Sequence, residues 1–179
     1  MKLTTRRIAF AGILAAVYAV LTIVEGILVP TLAYGTIQFR FAEALSVLCC
    51  FTPAAIPGMV VGCFVSNFFN PLGFSTVDAV FGTLATLLAC MLTWRMSRGL
   101  EQKPWLVWLV LLPTVLCNAV IVGAELGYVF PEGKTFLAAW GFNALTVGAG
   151  EAAVMYALGL PLLLFLRKNR QISNQLRTV

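Results

Sequence analysis

The run IAFAGILAAVYAVLTIVEGILV, residues 8–29, decides the fold class. It carries one charged side chain, Glu25. As a helix rising about 1.5 Å per residue it is long enough to cross the ~30 Å hydrocarbon core of a bilayer. Lys2, Arg6 and Arg7 precede it and Pro30 closes it. A basic start before an apolar run also opens a signal peptide, but this run is too long for such a segment and Glu25 interrupts it. It is therefore expected to stay as a first helix.

The remainder of the chain repeats the pattern. Hydrophobic residues occupy 60% of the 179 positions and charged residues 11%, with a mean hydropathy of +0.94. Soluble domains are roughly half apolar and a quarter charged, so a water-soluble fold is excluded. Further apolar segments follow at 39–51, 54–69, 77–94, 105–125 and 136–166. Turn signals separate them: Tyr34-Gly35, Thr52-Pro53, Asn70-Pro71-Leu72-Gly73, the polar loop 97–103, and Pro131-Glu132-Gly133-Lys134. Ser75 and Asp78 stand at capping-box spacing ahead of the fourth segment. The second segment is short for a crossing and the sixth longer than one needs. The expected fold is an all-α integral membrane domain over 1–179 with six transmembrane helices and a basic tail at 167–179.

The net charge of +5 does not point to nucleic acid, because the cations flank apolar segments and form no single basic face. They lie at the start, in the loop between segments four and five (Arg95, Arg98, Lys103), and after segment six (Arg167, Lys168, Arg170, Arg177). By the positive-inside rule both termini are cytoplasmic, as expected of a multi-pass protein of a bacterial cell membrane. The loops after segments one, three and five then face outward.

Several chemistries find no residues to carry them. There is no histidine, and the five cysteines (Cys49, Cys50, Cys63, Cys90, Cys117) sit in apolar segments without metal-type spacing, so they read as small core residues and no metal site is expected. No serine or cysteine stands beside a base, so the chain is not read as an enzyme. A phosphate-binding G-x-x-x-x-G-K-[ST] loop is absent, so uphill transport would need partner subunits or an ion gradient. No inverted repeat is visible.

Charged side chains in an apolar helix each cost about 2.5–3.5 kcal/mol and need a partner, a wet cavity or a ligand. Glu25 shares a helix face with Tyr18 and Thr22. Arg40 and Glu43, three apart, share a face of the second segment, and an ion pair between them is one reading. Asn67 closes the third segment. Asp78 opens the fourth, where a cap and dipole role competes with ligand contact. Asn118 and Glu125 share the outer face of the fifth, and Glu151 lies two turns below Asn143 on the sixth. Glu25 and Glu125 are close enough to helix ends to reach the interface instead. Together these residues describe an outward-facing pocket under the loop that follows Pro30. Five carboxylates against one arginine favour a ligand that donates hydrogen bonds or carries positive charge. The stripe Ala11, Ala15, Ala19 allows close helix approach, either inside the chain or to a partner.

The run Tyr34-Gly35-Thr36-Ile37-Gln38-Phe39-Arg40-Phe41-Ala42-Glu43-Ala44-Leu45, with Phe51-Thr52-Pro53-Ala54-Ala55-Ile56-Pro57-Gly58 and Asp78-Ala79-Val80-Phe81-Gly82-Thr83-Leu84-Ala85-Thr86, resembles the QueT family of queuosine precursor transporters. These are substrate-binding S components of energy-coupling factor (ECF) transporters. The resemblance implies a six-helix S-component bundle and docking of the Ala11, Ala15 stripe to a transmembrane coupling subunit. ATP would be used by two partner ATPases, with no cofactor bound by this chain. The implied ligand is a 7-deazaguanine base or derivative. By position and chemistry, Glu25, Glu125 or Glu151 would accept its donors, Asn118, Asn143 and Gln38 would read its carbonyl and ring nitrogens, and Tyr34 or Phe39 would stack on it. Arg40, Glu43 and Asn67 complete the expected site. Competing readings are an S component for another vitamin, a small proton-coupled carrier using Glu151, and a ligand-free membrane scaffold.

Overall fold

A computed structural model describes residues 4–30, 38–69, 76–131, 133 and 135–179. Among them there are helices and no strands. The first rod, α1 (Thr5–Leu28), starts earlier than hydropathy alone suggests because Thr4 caps it, its Oγ1 accepting from the Arg7 N–H at 3.4 Å. It ends just ahead of Pro30.

The second element, α2 (Phe41–Cys50), is a 3-10 helix. At about 2 Å per residue its ten residues rise only about two thirds of the hydrocarbon thickness. It is buried on nearly every side and packs against α1 and against three rods that follow. Those rods are α3 (Ala55–Phe68), α4 (Thr76–Ser97) and α6 (Phe136–Lys168). Between the last two runs α5 (Leu106–Val129). Four rods, α1, α4, α5 and α6, are long and apolar enough to cross a membrane; α2 and α3 are shorter apolar helices.

Two prolines shape the long rods. Pro113 has no N–H to offer Leu109, and the helix is interrupted at Val110 and Leu111, where Thr93 Oγ1 donates to the Val110 carbonyl at 3.2 Å. Pro161 likewise follows a π-turn at Met155–Gly159 in α6. A second π-turn, Asn118–Val122, lies in α5, and its Val120 carbonyl accepts from Trp140 Nε1 at 3.1 Å.

Small residues hold rods together. A Cβ added at Gly58 would lie 2.8 Å from the Ala11 carbonyl oxygen, and one at Gly62 would lie 2.7 Å from Tyr18 Cβ and 2.8 Å from the Ala15 carbonyl oxygen. One side of the alanine stripe is thus used internally, against α3. Gly123 and Gly127 do the same for α5 against Ala144 and Trp140 of α6. Gly62→Val is expected to lower stability by about 1–3 kcal/mol, because backbone and the Tyr18 stem must move. Thermal unfolding in detergent measures this, and an unchanged midpoint would show that α1 and α3 are not locked at this point.

The basic tail expected at 167–179 begins within the last turn of α6 and continues as a helix. Asn169 caps a short helix, α7 (Arg170–Arg177), its Oδ1 accepting from Ile172 N–H at 3.3 Å. Arg177 pairs with Glu101 at 2.6 Å, Arg167 donates to the Leu100 carbonyl at 3.4 Å, and Arg7 Nε donates to the Val179 carbonyl. The start of α1, the end of α7 and the α4–α5 loop therefore meet at one end of the bundle.

Candidate functional site

A buried polar cluster around the start of α2 draws its side chains from α1, α2, α4, α5 and α6. Two glycines admit its central residues. A Cβ at Gly150 of α6 would overlap the Gln38 carbonyl, and one at Gly82 of α4 would sit 2.8 Å from Asn67 Nδ2 and 3.5 Å from Arg40 Nη1. The stretch 38–40 thus lies directly on the α6 backbone, and Arg40 passes over Gly82. Arg40 is 1% exposed, the largest fully buried side chain in the described structure.

Arg40 pairs with Asp78, its Nη2 at 3.5 Å from Oδ1. This corrects the expected Arg40–Glu43 pair. The spacing of three applies only if both residues are helical, and Arg40 is the non-helical residue before α2, with φ −61° and ψ 90°. Asp78 does stand in the first turn of α4, so its dipole role and its pairing coexist; Ser75 lies outside the described residues. Glu43, fully buried, receives Tyr18 OH at 2.6 Å and Thr86 Oγ1 at 3.1 Å on the same oxygen, Oε1. Thr86 also lies 3.3 Å from Cys63 Sγ.

Glu25 and Glu125 are each 6% exposed, so neither reaches outward to an interface. Glu25 Oε2 accepts from the Phe41 N–H at 3.2 Å, placing a carboxylate at the N-terminus of α2. Asn118 opens the π-turn of α5 and is buried. Glu151, on α6, is 0% exposed and within electrostatic reach of Arg40, Glu43 and Glu25. Glu125 is within reach of Arg40 and Asp78.

What distinguishes the cluster is what it leaves unpaired. Among the described residues, Glu25 Oε1, Gln38 Oε1, Glu43 Oε2, Glu125 Oε2, both Glu151 oxygens, both Asn118 amide atoms and Arg40 Nε and Nη1 have no hydrogen-bond partner. Buried polar atoms are nearly always partnered. A concentration of exceptions drawn from α1, α2, α5 and α6 makes this cluster the candidate site for a polar ligand.

A sequence profile described as QueT transporter matches residues 8–168. The chain belongs to the QueT transporter family. A relative, the queuosine precursor transporter QueT of Lactococcus lactis subsp. cremoris (strain MG1363), is 38% identical over 87 residues, or 49% of this chain and 48% of the relative. The chain is thus matched to about half of that relative's length. No solved structure matches. A chain of this family with several membrane-length apolar rods is a multi-pass membrane protein, and the family is described as one of transporters.

Within this QueT chain the expected site residues divide. Glu25, Gln38, Arg40, Glu43, Asn118, Glu125 and Glu151 contribute unpartnered buried atoms. Asn67 ties α3 to α4, with Nδ2 donating to the Asp78 carbonyl at 3.2 Å and lying 3.6 Å from Cys63 Sγ. Asn143 is buried but donates to its own helix, to the Ala139 carbonyl at 2.9 Å. Phe39 is half-buried, and Tyr34 lies outside the described residues, as does the roof expected at 31–37. Sequence reasoning missed Tyr18 and Thr86 as the partners that orient Glu43. Asp78, Gly82 and Thr86 recur every four residues, a pattern that places Thr86 on the face presented to Arg40.

Proposed function

We propose that this QueT-family chain is the substrate-binding S component of an ECF transporter, and that it takes up a queuosine precursor built on 7-deazaguanine. The observation that carries this reading is the convergence of unpartnered carboxylates from α1, α2, α5 and α6 on one buried arginine. A guanine-like edge presents a ring N–H beside an exocyclic amino group, and one carboxylate accepts both. Glu151, with both oxygens unpartnered, suits that pairing best. Arg40 and Asn118 supply donors for the ring carbonyl, and an aminomethyl substituent would find Glu25 or Glu125.

In this reading α2 and α3 complete a six-helix domain, both termini face the cytoplasm, and the cluster opens outward. Energy comes from two ATPase subunits acting through a transmembrane coupling subunit. An apolar groove of about 310 Å³ runs between α1 and α3, lined by Ile8, Ala11, Gly12, Ala15, Pro57 and Val61 among others. It is the surface proposed for that coupling subunit. Ala19 does not share it, being buried at 7% exposure, because two steps of four residues carry the stripe around the helix and into the bundle.

Uptake of a labelled precursor by cells lacking other carriers tests the assignment. Uptake should be lost when the ATPase subunits are deleted; uptake that instead survives their deletion and collapses with an uncoupler would identify a self-sufficient carrier. Gly12→Phe sharpens the docking surface, since a Cβ there meets nothing within 4 Å. It should leave stability and ligand binding unchanged while reducing uptake by at least roughly tenfold, as blocking a close helix contact implies. Full uptake with this variant would remove the groove from the coupling interface.

A further inference from the structure

The end of the bundle where both chain termini meet carries an arrangement that deazaguanine capture does not use. Three clefts adjoin there. The first, about 400 Å³, lies between the ends of α2 and α4 and is lined by Trp94, Arg98, Glu101, Arg167 and Arg177. The second, also about 400 Å³, shares Arg167 and Arg177 and adds Arg170, Ser173 and Asn174 of α7. The third, about 450 Å³, continues from Arg170 to Lys168 and Phe165. Five cations line them against a single carboxylate, Glu101.

Three of the guanidiniums are already held in place. Arg98 lies 4.2 Å over the Trp94 ring, Arg167 is tethered to the Leu100 carbonyl, and Arg177 is paired with Glu101. Less freedom is lost when such groups bind an anion, and the fork of arginine fits phosphate oxygens in pairs. Apolar surface continues from the clefts along α6, where Phe165 is 60% and Leu164 48% exposed. A phosphate with hydrocarbon attached satisfies both surfaces.

We infer that this cleft binds the phosphate headgroup of an anionic membrane phospholipid, with Arg98 and Arg167 at its centre and the acyl chains along α6. Helix ends of membrane-length rods stand at headgroup depth, where anionic lipids supply phosphate at high local concentration. Glu101 opposes the binding, and Arg177 partly masks it.

The test uses the full chain purified in neutral detergent and offered mixed phosphatidylglycerol and phosphatidylcholine, with retained lipid counted by native mass spectrometry. Phosphatidylglycerol should be retained preferentially. The double variant Arg98→Gln, Arg167→Gln should reduce that retention by roughly tenfold, while Arg95→Gln, which lines none of the clefts, should not. Glu101→Gln, which removes only an exposed ion pair, should raise retention and keeps the test decisive if the double variant does not fold. Equal retention of the two lipids, a loss as large with Arg95→Gln, or no gain with Glu101→Gln would overturn the site. Competition by inorganic phosphate at equal concentration would overturn the lipid in favour of a free anion.

Discussion

Glu151→Gln is expected to weaken binding of a 7-deazaguanine base by roughly 100-fold, the loss of a charge-assisted pair of hydrogen bonds. Glu151 is fully buried, both its oxygens lack hydrogen-bond partners, and Glu43, Glu25 and Arg40 stand within electrostatic reach. A carboxylate in that position is costly until a donor meets it. Glutamine keeps the shape but turns one acceptor into a donor that faces the ligand's own N–H groups. Arg40 keeps Asp78 as its partner, so removing this charge should at the same time leave the ligand-free protein as stable as before, or more so. Titration calorimetry and thermal unfolding measured together separate the two effects. Unchanged affinity would take Glu151 out of the site, and a fall in stability with affinity unchanged would make its role structural.

The second large effect is expected from Gly150→Ala. A methyl group there overlaps the Gln38 carbonyl, and both sides of the contact are backbone. The stretch 38–40 must lift from α6, and Arg40 must shift on Gly82 and away from Asp78. A cost of about 1–3 kcal/mol in stability is expected from overpacking alone, with ligand affinity falling by at least roughly tenfold because Gln38 and Arg40 move together. Gly141→Ala is the matched control: nothing lies within 4 Å of its added Cβ, and replacing a helical glycine by alanine stabilises by about 0.5–1 kcal/mol. If both variants bound ligand equally well, the seat of residue 38 on α6 would have no part in recognition.

Much of this was legible in the chain. Long apolar runs report helices because a bilayer leaves the backbone few alternatives, and α1, α4, α5 and α6 lie where hydropathy places them. Charged residues inside such runs are rare enough to be informative singly, which is why Glu25, Glu43, Glu125 and Glu151 stand out in the sequence, and the structure buries all four. What hydropathy does not encode is the direction of a side chain that leaves helical geometry. Arg40 stands just before α2 and turns to Asp78, so the reading by helical spacing paired it with the wrong carboxylate. Nor does hydropathy distinguish the 3-10 geometry of α2 from an α-helix, since both are apolar runs. The π-turn of α5 and the helix α7 also escaped, since one depends on packing against α6 and the other on a single capping asparagine.

The central claim, that the buried carboxylates read the donor edge of a deazapurine, is tested most directly by a pair of ligands. The purified chain is titrated with 7-deazaguanine and with the same ring lacking the exocyclic amino group. Loss of one of the two donors should weaken binding by at least roughly tenfold, and the difference should shrink in Glu151→Gln. Equal affinity for the two ligands, or no binding of either, would contradict it.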